Sequence, residues 1–369
     1  MNILLITARA DHGGGPRSTL NLAREFSKRN HSIFVALPRD KPYFDVFRQT
    51  LGPSSLVEIP HRKISLSALY RVATFIRYHR IQLLHSNGKG AGAYAKLLSV
   101  LCGVPFVHTP RGISVFAYSR LKIWSYRSYE NSFNRYCKTV VFVSESEKRW
   151  AEELGLWDKV PNLVIKNSIS LARTQDNVRA STKRLLPFGE HHFVVATIAR
   201  FDVAKNMGEA FQIAIACPDI KFLWIGDGPD REQLETKAFE LGVKNIHFFG
   251  ESADPISLLA FCDAYLSTSR WEGLPNALLE AGLMSLPCVV SKVIGNVDVI
   301  LEGENGLLYG LGKIESAVRC LNRLKADLIL CRRLGSKARK HIEDCFSDSY
   351  MFGQYDALYR RSIRAKDAG

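Results

Sequence analysis

At 369 residues, 46% of them hydrophobic, the chain is long for one core and comfortable for two domains. No apolar run reaches the roughly 18 residues needed to span a bilayer. The start, MNILLITA, lacks the basic region and cleavage site of a signal peptide, and the eight scattered cysteines form no C-x-x-C pair, so a cytoplasmic protein with reduced thiols is expected, without disulfides or zinc. The net charge of +14 is unevenly spread: residues 1–173 hold 26 Lys+Arg against 11 Asp+Glu, and residues 174–369 hold 24 against 25.

In chain order, NILLIT, SIFVAL, LVEIP, LLHS, FVHT, TVVFVS and LVIKN read as strands, with helical patterns such as RSTLNLAREFSKRN between them. Ile59 to Tyr129 holds eleven basic residues and no acid. Such a one-signed stretch is expected to meet an anionic partner: a membrane surface, a phosphorylated substrate or nucleic acid. No nucleic-acid-binding motif accompanies it. Its end, GISVFAYSRLKIWSYRSY, interleaves Arg120, Lys122 and Arg127 with Phe116, Tyr118, Ile123, Trp124 and Tyr126. That pattern suits the headgroup layer of an anionic membrane, although the same aromatics could pack into a core.

A polar, aperiodic stretch at 171–184 reads as a linker, after which the alternation restarts with HFVVATIAR, KFLWIGDG, NIHFFG, AYLSTS, PCVVSK and GLLYG. Strand–helix alternation implies parallel sheets covered on both faces. The expected fold is therefore α/β: two Rossmann-like parallel-sheet domains, 1–170 and 185–348, facing a ligand cleft, with an amphipathic helix at 349–369 packing back on the first.

The second set of strands carries the chemistry. Arg200 and Lys205 follow strand VVATIA in a loop, where two flexible cations suit a diphosphate. Gly226-Asp-Gly-Pro229 turns from strand to helix, but Arg231 stands where a dinucleotide fingerprint needs its third glycine. In WEGLPNALLE, Glu272 lies in the loop before a helix, Pro275 suits the first helical position, and Glu280 falls in the second turn. The N–H groups of that first turn favour an anion.

Taken in order, ARFDVAKN, WIGDGP, HFFG, STSRWEGLPNALLEAGLMSLPCVVS and ENGLLY resemble the retaining, nucleotide-sugar-dependent glycosyltransferases of GT-B fold, family 4, whose mark is two glutamates separated by seven residues. GGGPRSTLNLAREFSKRNHSIFVA, FVHTPRG, SYENSFNR and VVFVSES resemble that family's N-terminal half more loosely. The resemblance implies that Glu280 accepts the ribose hydroxyls and that Arg200 and Lys205 neutralise the diphosphate. It places the distal phosphate at the backbone of Gly273, Leu274, Pro275 and Asn276, and Glu272 on the transferred sugar. Gly226 and Gly250 border the donor site, Gly13, Gly14 and Gly15 give backbone access to donor or acceptor, and His108 touches the donor sugar. The chain contains no Asp-x-Asp, so no metal and no other cofactor is expected.

Two places depart from the family's pattern: Asn167-Ser-Ile-Ser170, where Ser168 replaces a glycine, and GNVDVI, where Asp298 takes the place of an acid in a Gly-Gly-x-Pro-Glu motif. The implied function is transfer of a sugar, most simply from a UDP-sugar, to a lipid-linked or saccharide acceptor at the inner face of the cytoplasmic membrane, in the assembly of bacterial surface polysaccharide. The alternatives are a sugar-nucleotide epimerase of the same fold and a non-catalytic anion-binding protein.

Overall fold

The computed structural model describes residues 1–115, 118–132, 136–171, 192–252 and 254–367. Apart from Leu171, the expected linker 171–184 lies outside the described residues, as does Phe116. The chain divides into two compact units, one formed by Met1–Ser168 with Asp348–Gly369 and the other by Ile169–Ser347.

The first unit is built on seven strands: β1 (Asn2–Thr7), β2 (Ser32–Leu37), β3 (Leu56–Glu58), β4 (Leu83–Asn87), β5 (Phe106–Thr109), β6 (Cys137–Phe142) and β7 (Asn162–Val164). They run parallel in the order β3-β2-β1-β4-β5-β6-β7. Helices α1 (Gly14–Ser27), α2 (Tyr43–Leu51), α3 (Leu66–Tyr78), α4 (Lys89–Cys102), α5 (Arg120–Asn131) and α6 (Glu145–Glu153) join them. The middle of NILLIT, Ile3 to Ile6, is apolar without a break because β1 is buried on both faces. Leu4 and Ile6 point into one core with Val72, Leu84 and Leu98, while Ile3 and Leu5 point into another with Leu22, Phe26 and Leu83.

The second unit holds β8 (Val194–Ile198), β9 (Lys221–Ile225), β10 (Ile246–Gly250), β11 (Ala264–Ser267), β12 (Cys288–Ser291) and β13 (Gly306–Tyr309), parallel in the order β10-β9-β8-β11-β12-β13. Its helices are α7 (Met207–Ile215), α8 (Arg231–Glu240), α9 (Pro255–Leu259), α10 (Asn276–Leu283), α11 (Ile314–Ala326) and α12 (Leu328–Cys345). The last helix, α13 (Asp348–Asp367), belongs to the first unit. There Met351, Phe352, Tyr355, Leu358 and Tyr359 join the core of Leu5 and Phe26. Ser168 explains one departure noted above: its hydroxyl donates to Asp348 at 2.6 Å, fastening β7's outgoing loop to the start of α13.

Each sheet reverses its strand order once, between β1 and β4 and between β8 and β11. The loops at the C-terminal ends of such a pair diverge and leave a crevice, which is where open α/β sheets take ligands.

Candidate active site

The β8–β11 crevice is lined by Thr197, Ala199, Lys205, Ser269, Glu272 and Pro275, among others. The loop after β8 is organised by Asp202, a residue the sequence reading gave no role. One of its carboxylate oxygens accepts from the backbone N–H groups of Ala204 and Lys205, each at 3.1 Å. The other accepts from Arg200 Nε at 2.5 Å. One carboxylate thereby fixes both predicted cations, the guanidinium directly and the lysine through its backbone. Thr268, after β11, donates to the carbonyls of Lys205 and Asn206 at 2.9 and 3.1 Å, tying the two loops together.

Glu272 is held from three sides. Its Oε1 accepts from Lys205 Nζ at 2.5 Å and from the Ser269 hydroxyl at 2.6 Å. Its backbone N–H donates to Ile294 at 3.2 Å. Behind it stands Gly295, at φ +84°, where a Cβ would lie 2.6 Å from the Gly273 carbonyl oxygen and 2.8 Å from Glu272 Cβ. No other residue combines that backbone with that clearance. The Ser291 hydroxyl donates to the Ser269 carbonyl at 2.6 Å, and buried Asn296 donates to the Ser291 carbonyl at 2.9 Å. The GNVDVI stretch, which departs from the family's motif, thus still buttresses the loop that carries Glu272.

Pro275 differs by one position from the sequence expectation. It caps α10 rather than opening it: φ and ψ are −76° and 111°, and its carbonyl accepts from Leu278 at 3.1 Å. Asn276 is the first helical residue, so the first-turn N–H groups begin there. Glu280 sits in the second turn as expected from its spacing, with only 1% of its surface exposed. Tyr265 of β11 lines the same crevice as Glu272 and was not picked out from the sequence. Burial first, then the charges of Glu272, Cys288 and Glu280, push its hydroxyl well above the ordinary tyrosine range, so it stays protonated and donates to the Ile198 carbonyl at 3.3 Å.

The other predicted residues fall in several places. Gly226, at φ +137°, lets the end of β9 approach β8, since a Cβ would lie 1.9 Å from the Ala199 carbonyl oxygen. Its N–H donates to the Gly250 carbonyl at 2.8 Å, joining the end of β9 to the end of β10, one strand further from β8. In the first unit, Gly13 caps α1, while Gly14 and Gly15 begin it. A Cβ on Gly13 would come no nearer than 3.8 Å to any atom, and one on Gly15 would meet nothing within 4 Å, so the fold itself does not require glycine at either. His108 lies on β5 with 1% exposure, its Nδ1 within 2.8 Å of the Ser86 hydroxyl and its ring 5.6 Å from that of Trp157. Burial lowers it to about 3, so the imidazole is neutral. Among the described residues no three His, Cys, Asp or Glu side chains converge as metal ligands.

The sequence profile described as Glycosyl transferases group 1 matches residues 179–341, and that described as Glycosyltransferase Family 4 matches residues 12–173. The chain belongs to the family 4 glycosyltransferases. An Escherichia coli relative, UDP-Gal:alpha-D-GlcNAc-diphosphoundecaprenol alpha-1,3-galactosyltransferase, is 26% identical over 279 residues, 72% of this glycosyltransferase and 71% of that one. The capsular polysaccharide biosynthesis glycosyltransferase CapM of Staphylococcus aureus is 21% identical over 82% of each chain. Among solved structures, Anabaena HepE in complex with UDP-glucose matches with a TM-score of 0.86 at 21% identity, over 98% of this chain and 100% of that one. The lipopolysaccharide outer core galactosyltransferase WaaB matches at 0.68 and 20% identity, over 99% of this chain and 100% of that one. The fold of this glycosyltransferase is GT-B.

Proposed function

We propose that this glycosyltransferase moves a sugar from a UDP-sugar to a lipid-linked or saccharide acceptor, with retention of anomeric configuration and without a metal, in the assembly of a bacterial surface polysaccharide. The observation that carries the reading is the meeting of Lys205 and Glu272 at 2.5 Å in the β8–β11 crevice, beside the N-terminus of the helix that bears Glu280. The relatives' names support a lipid-linked acceptor and a polysaccharide pathway, and HepE's complex supports a UDP-sugar.

In this reading Glu280 accepts the ribose hydroxyls through its two oxygens. Lys205 has three donors, of which Glu272 takes one, leaving two for phosphate oxygens. Arg200, fixed by Asp202, adds a second cation, and the first-turn N–H groups of α10 complete an electrostatic seat for the departing diphosphate. The sugar's C1–O bond to phosphate breaks while C1 bonds the acceptor oxygen on the same face, and the acceptor's proton passes to the departing phosphate. The assignment of His108 to the donor sugar rests on the resemblance alone.

The match to transferase profiles leaves the epimerase and the non-catalytic alternatives without support of their own. Among the described residues no helix is long and apolar enough to cross a membrane. Adsorption to an anionic membrane is proposed instead through Leu66, Tyr70, Leu121 and Trp124, which are 85%, 76%, 75% and 66% exposed, with Arg120 and Lys122 beside the last two. Arg127, also exposed on α5, passes close to Gly155, while Tyr118 and Tyr126 pack on the core.

A donor panel tests the reading. UDP-sugars should be slowly hydrolysed to UDP. Glu280→Ala should weaken UDP binding by roughly 1.5–3 kcal/mol, and Glu272→Ala should lower turnover while leaving UDP binding nearly intact. Equal UDP affinity in both variants would refute the assignment of the two acids.

A further inference from the structure

Lys205 is gripped at both ends by one loop. Its ammonium meets Glu272 at 2.5 Å, and its backbone carbonyl accepts from the hydroxyl of Thr268 at 2.9 Å, four residues earlier in the segment after β11. The same hydroxyl reaches the Asn206 carbonyl at 3.1 Å. Thr268 is 1% exposed and lines the crevice.

A hydroxyl has one proton to donate, and it can serve two successive carbonyls only if both point the same way. An extended residue sends the carbonyls before and after it in opposite directions, whereas a helical residue of either hand aligns them. Asn206 supplies that alignment: its φ and ψ of 55° and 45° are left-handed, a conformation that asparagine accepts more readily than most residues. The Asn206 amide donates to Glu209 Oε2 at 2.6 Å, and Glu209 Oε1 accepts from the Gly312 N–H at 3.2 Å, so the turn is also held from the loop after β13. The Lys205 N–H is bound in turn by Asp202 at 3.1 Å. With its N–H and C=O both engaged, the lysine backbone has one orientation, and the flexible side chain starts from a fixed point. Another bond between the two loops, from the Arg270 N–H to the Ala204 carbonyl at 2.8 Å, does not touch the peptide that Lys205 shares with Asn206.

We propose that Thr268 is a positioning residue for the transfer: by fixing the Lys205 carbonyl it aims the ammonium at the diphosphate, and it acts on the phosphates only through Lys205. The inference rests on the transferase reading and adds to it a residue that sets how firmly the phosphates are held, as distinct from the nucleoside. Without the hydroxyl the carbonyls of Lys205 and Asn206 lose their shared donor, the peptide between them is free to turn, and the two ammonium donors left over by Glu272 no longer converge on phosphate oxygens.

Affinities of the whole chain for UDP and for uridine test this, because only UDP carries the phosphates. Thr268→Val keeps the shape of the side chain and removes the hydroxyl. It should weaken UDP about fivefold or more and leave uridine unchanged, and Thr268→Ser should restore the parent's UDP affinity. Lys205→Met should weaken UDP at least as much, and adding Thr268→Val to it should change nothing further. Thr268→Ala is read by the same criteria should the valine variant not fold. If Thr268→Val weakens UDP and uridine by the same factor, or weakens neither, the threonine only holds the loops together, and the positioning role fails while the transferase reading stands. A double variant that loses UDP affinity beyond Lys205→Met would show that Thr268 acts by another route, which overturns the assignment. If the parent binds UDP no better than uridine, the diphosphate seat itself is wrong, and the transferase reading falls with the inference.

Discussion

Lys205 Nζ and Glu272 Oε1 lie 2.5 Å apart, joining the loop after β8 to the loop after β11. The pair is mostly enclosed, with 28% and 11% of the two side chains exposed. Removing either partner leaves the other charge poorly compensated. Lys205→Ala and Glu272→Ala should each lower kcat/KM, and the double variant should lose less than the sum by about 1 kcal/mol or more. Strict additivity in kcat/KM across the four enzymes would show that the two residues act separately.

Gly295→Ala should damage the enzyme without touching a ligand. The new methyl collides with the backbone of Gly273 and with Glu272 Cβ, and the positive φ adds strain, so a loss of about 1–3 kcal/mol of stability is expected. Because the displaced segment carries Glu272 and not Glu280, turnover should fall further than UDP affinity. Thermal melting beside a UDP titration checks both halves, and a variant with unchanged turnover would separate Gly295 from the positioning of Glu272.

Transfer should persist in chelator. The proposed leaving-group charge falls on Arg200, Lys205 and the start of α10, all fixed by protein contacts. Activity abolished by chelator and restored by magnesium or manganese would contradict this assignment. Asp202→Ala provides an independent check: it releases both cations at once, and should lower kcat/KM more than Arg200→Ala in any buffer.

Stability should depend on pH through Glu130. Burial pushes its carboxyl up to about 7, with the Tyr126 hydroxyl and Lys89 opposing the rise. The folded state therefore holds its proton more tightly than the unfolded chain does. The stabilisation is complete below the ordinary carboxylate pKa and is lost as pH climbs from about 4.5 to about 7, at most roughly 3 kcal/mol. Glu130→Gln should accordingly be more stable than the parent at pH 8 and nearly equal to it at pH 4.5. Denaturant titrations at the two pH values measure this directly, and equal differences at both would show that Glu130 does not govern the dependence.

What could be read in advance, and what could not, follows the range of the interactions. The unbroken apolar runs announced sheets buried on two faces, because Ile3 to Ile6 of β1 alternate between two cores. The spacing of Glu272 and Glu280 survived a one-residue shift in the helix start, since it depends only on chain order. Asp202 went unnoticed because a carboxylate beside Arg200 looks like a surface pair until its second oxygen is seen on the Lys205 backbone. Gly295 and Tyr265 were invisible for another reason: Gly295 matters through its close approach to Glu272 and Gly273 from the loop after β12, and Tyr265 through its bond to the Ile198 carbonyl of β8. Ser168 appeared as a loss from a motif, and its compensating partner, Asp348, stands 180 positions away.

The return of α13 to the first unit has a consequence for biosynthesis. Its five core side chains each contribute about 1.5–3 kcal/mol when buried, together on the order of a domain's entire net stability. The seven-stranded unit emerges first from the ribosome but must wait, with Leu5 and Phe26 uncovered, until all six strands of the second unit have been translated. Nascent chains halted before Asp348 should therefore hold a finished second unit behind an unfinished, chaperone-seeking first one, reversing the usual order in which N-terminal domains mature.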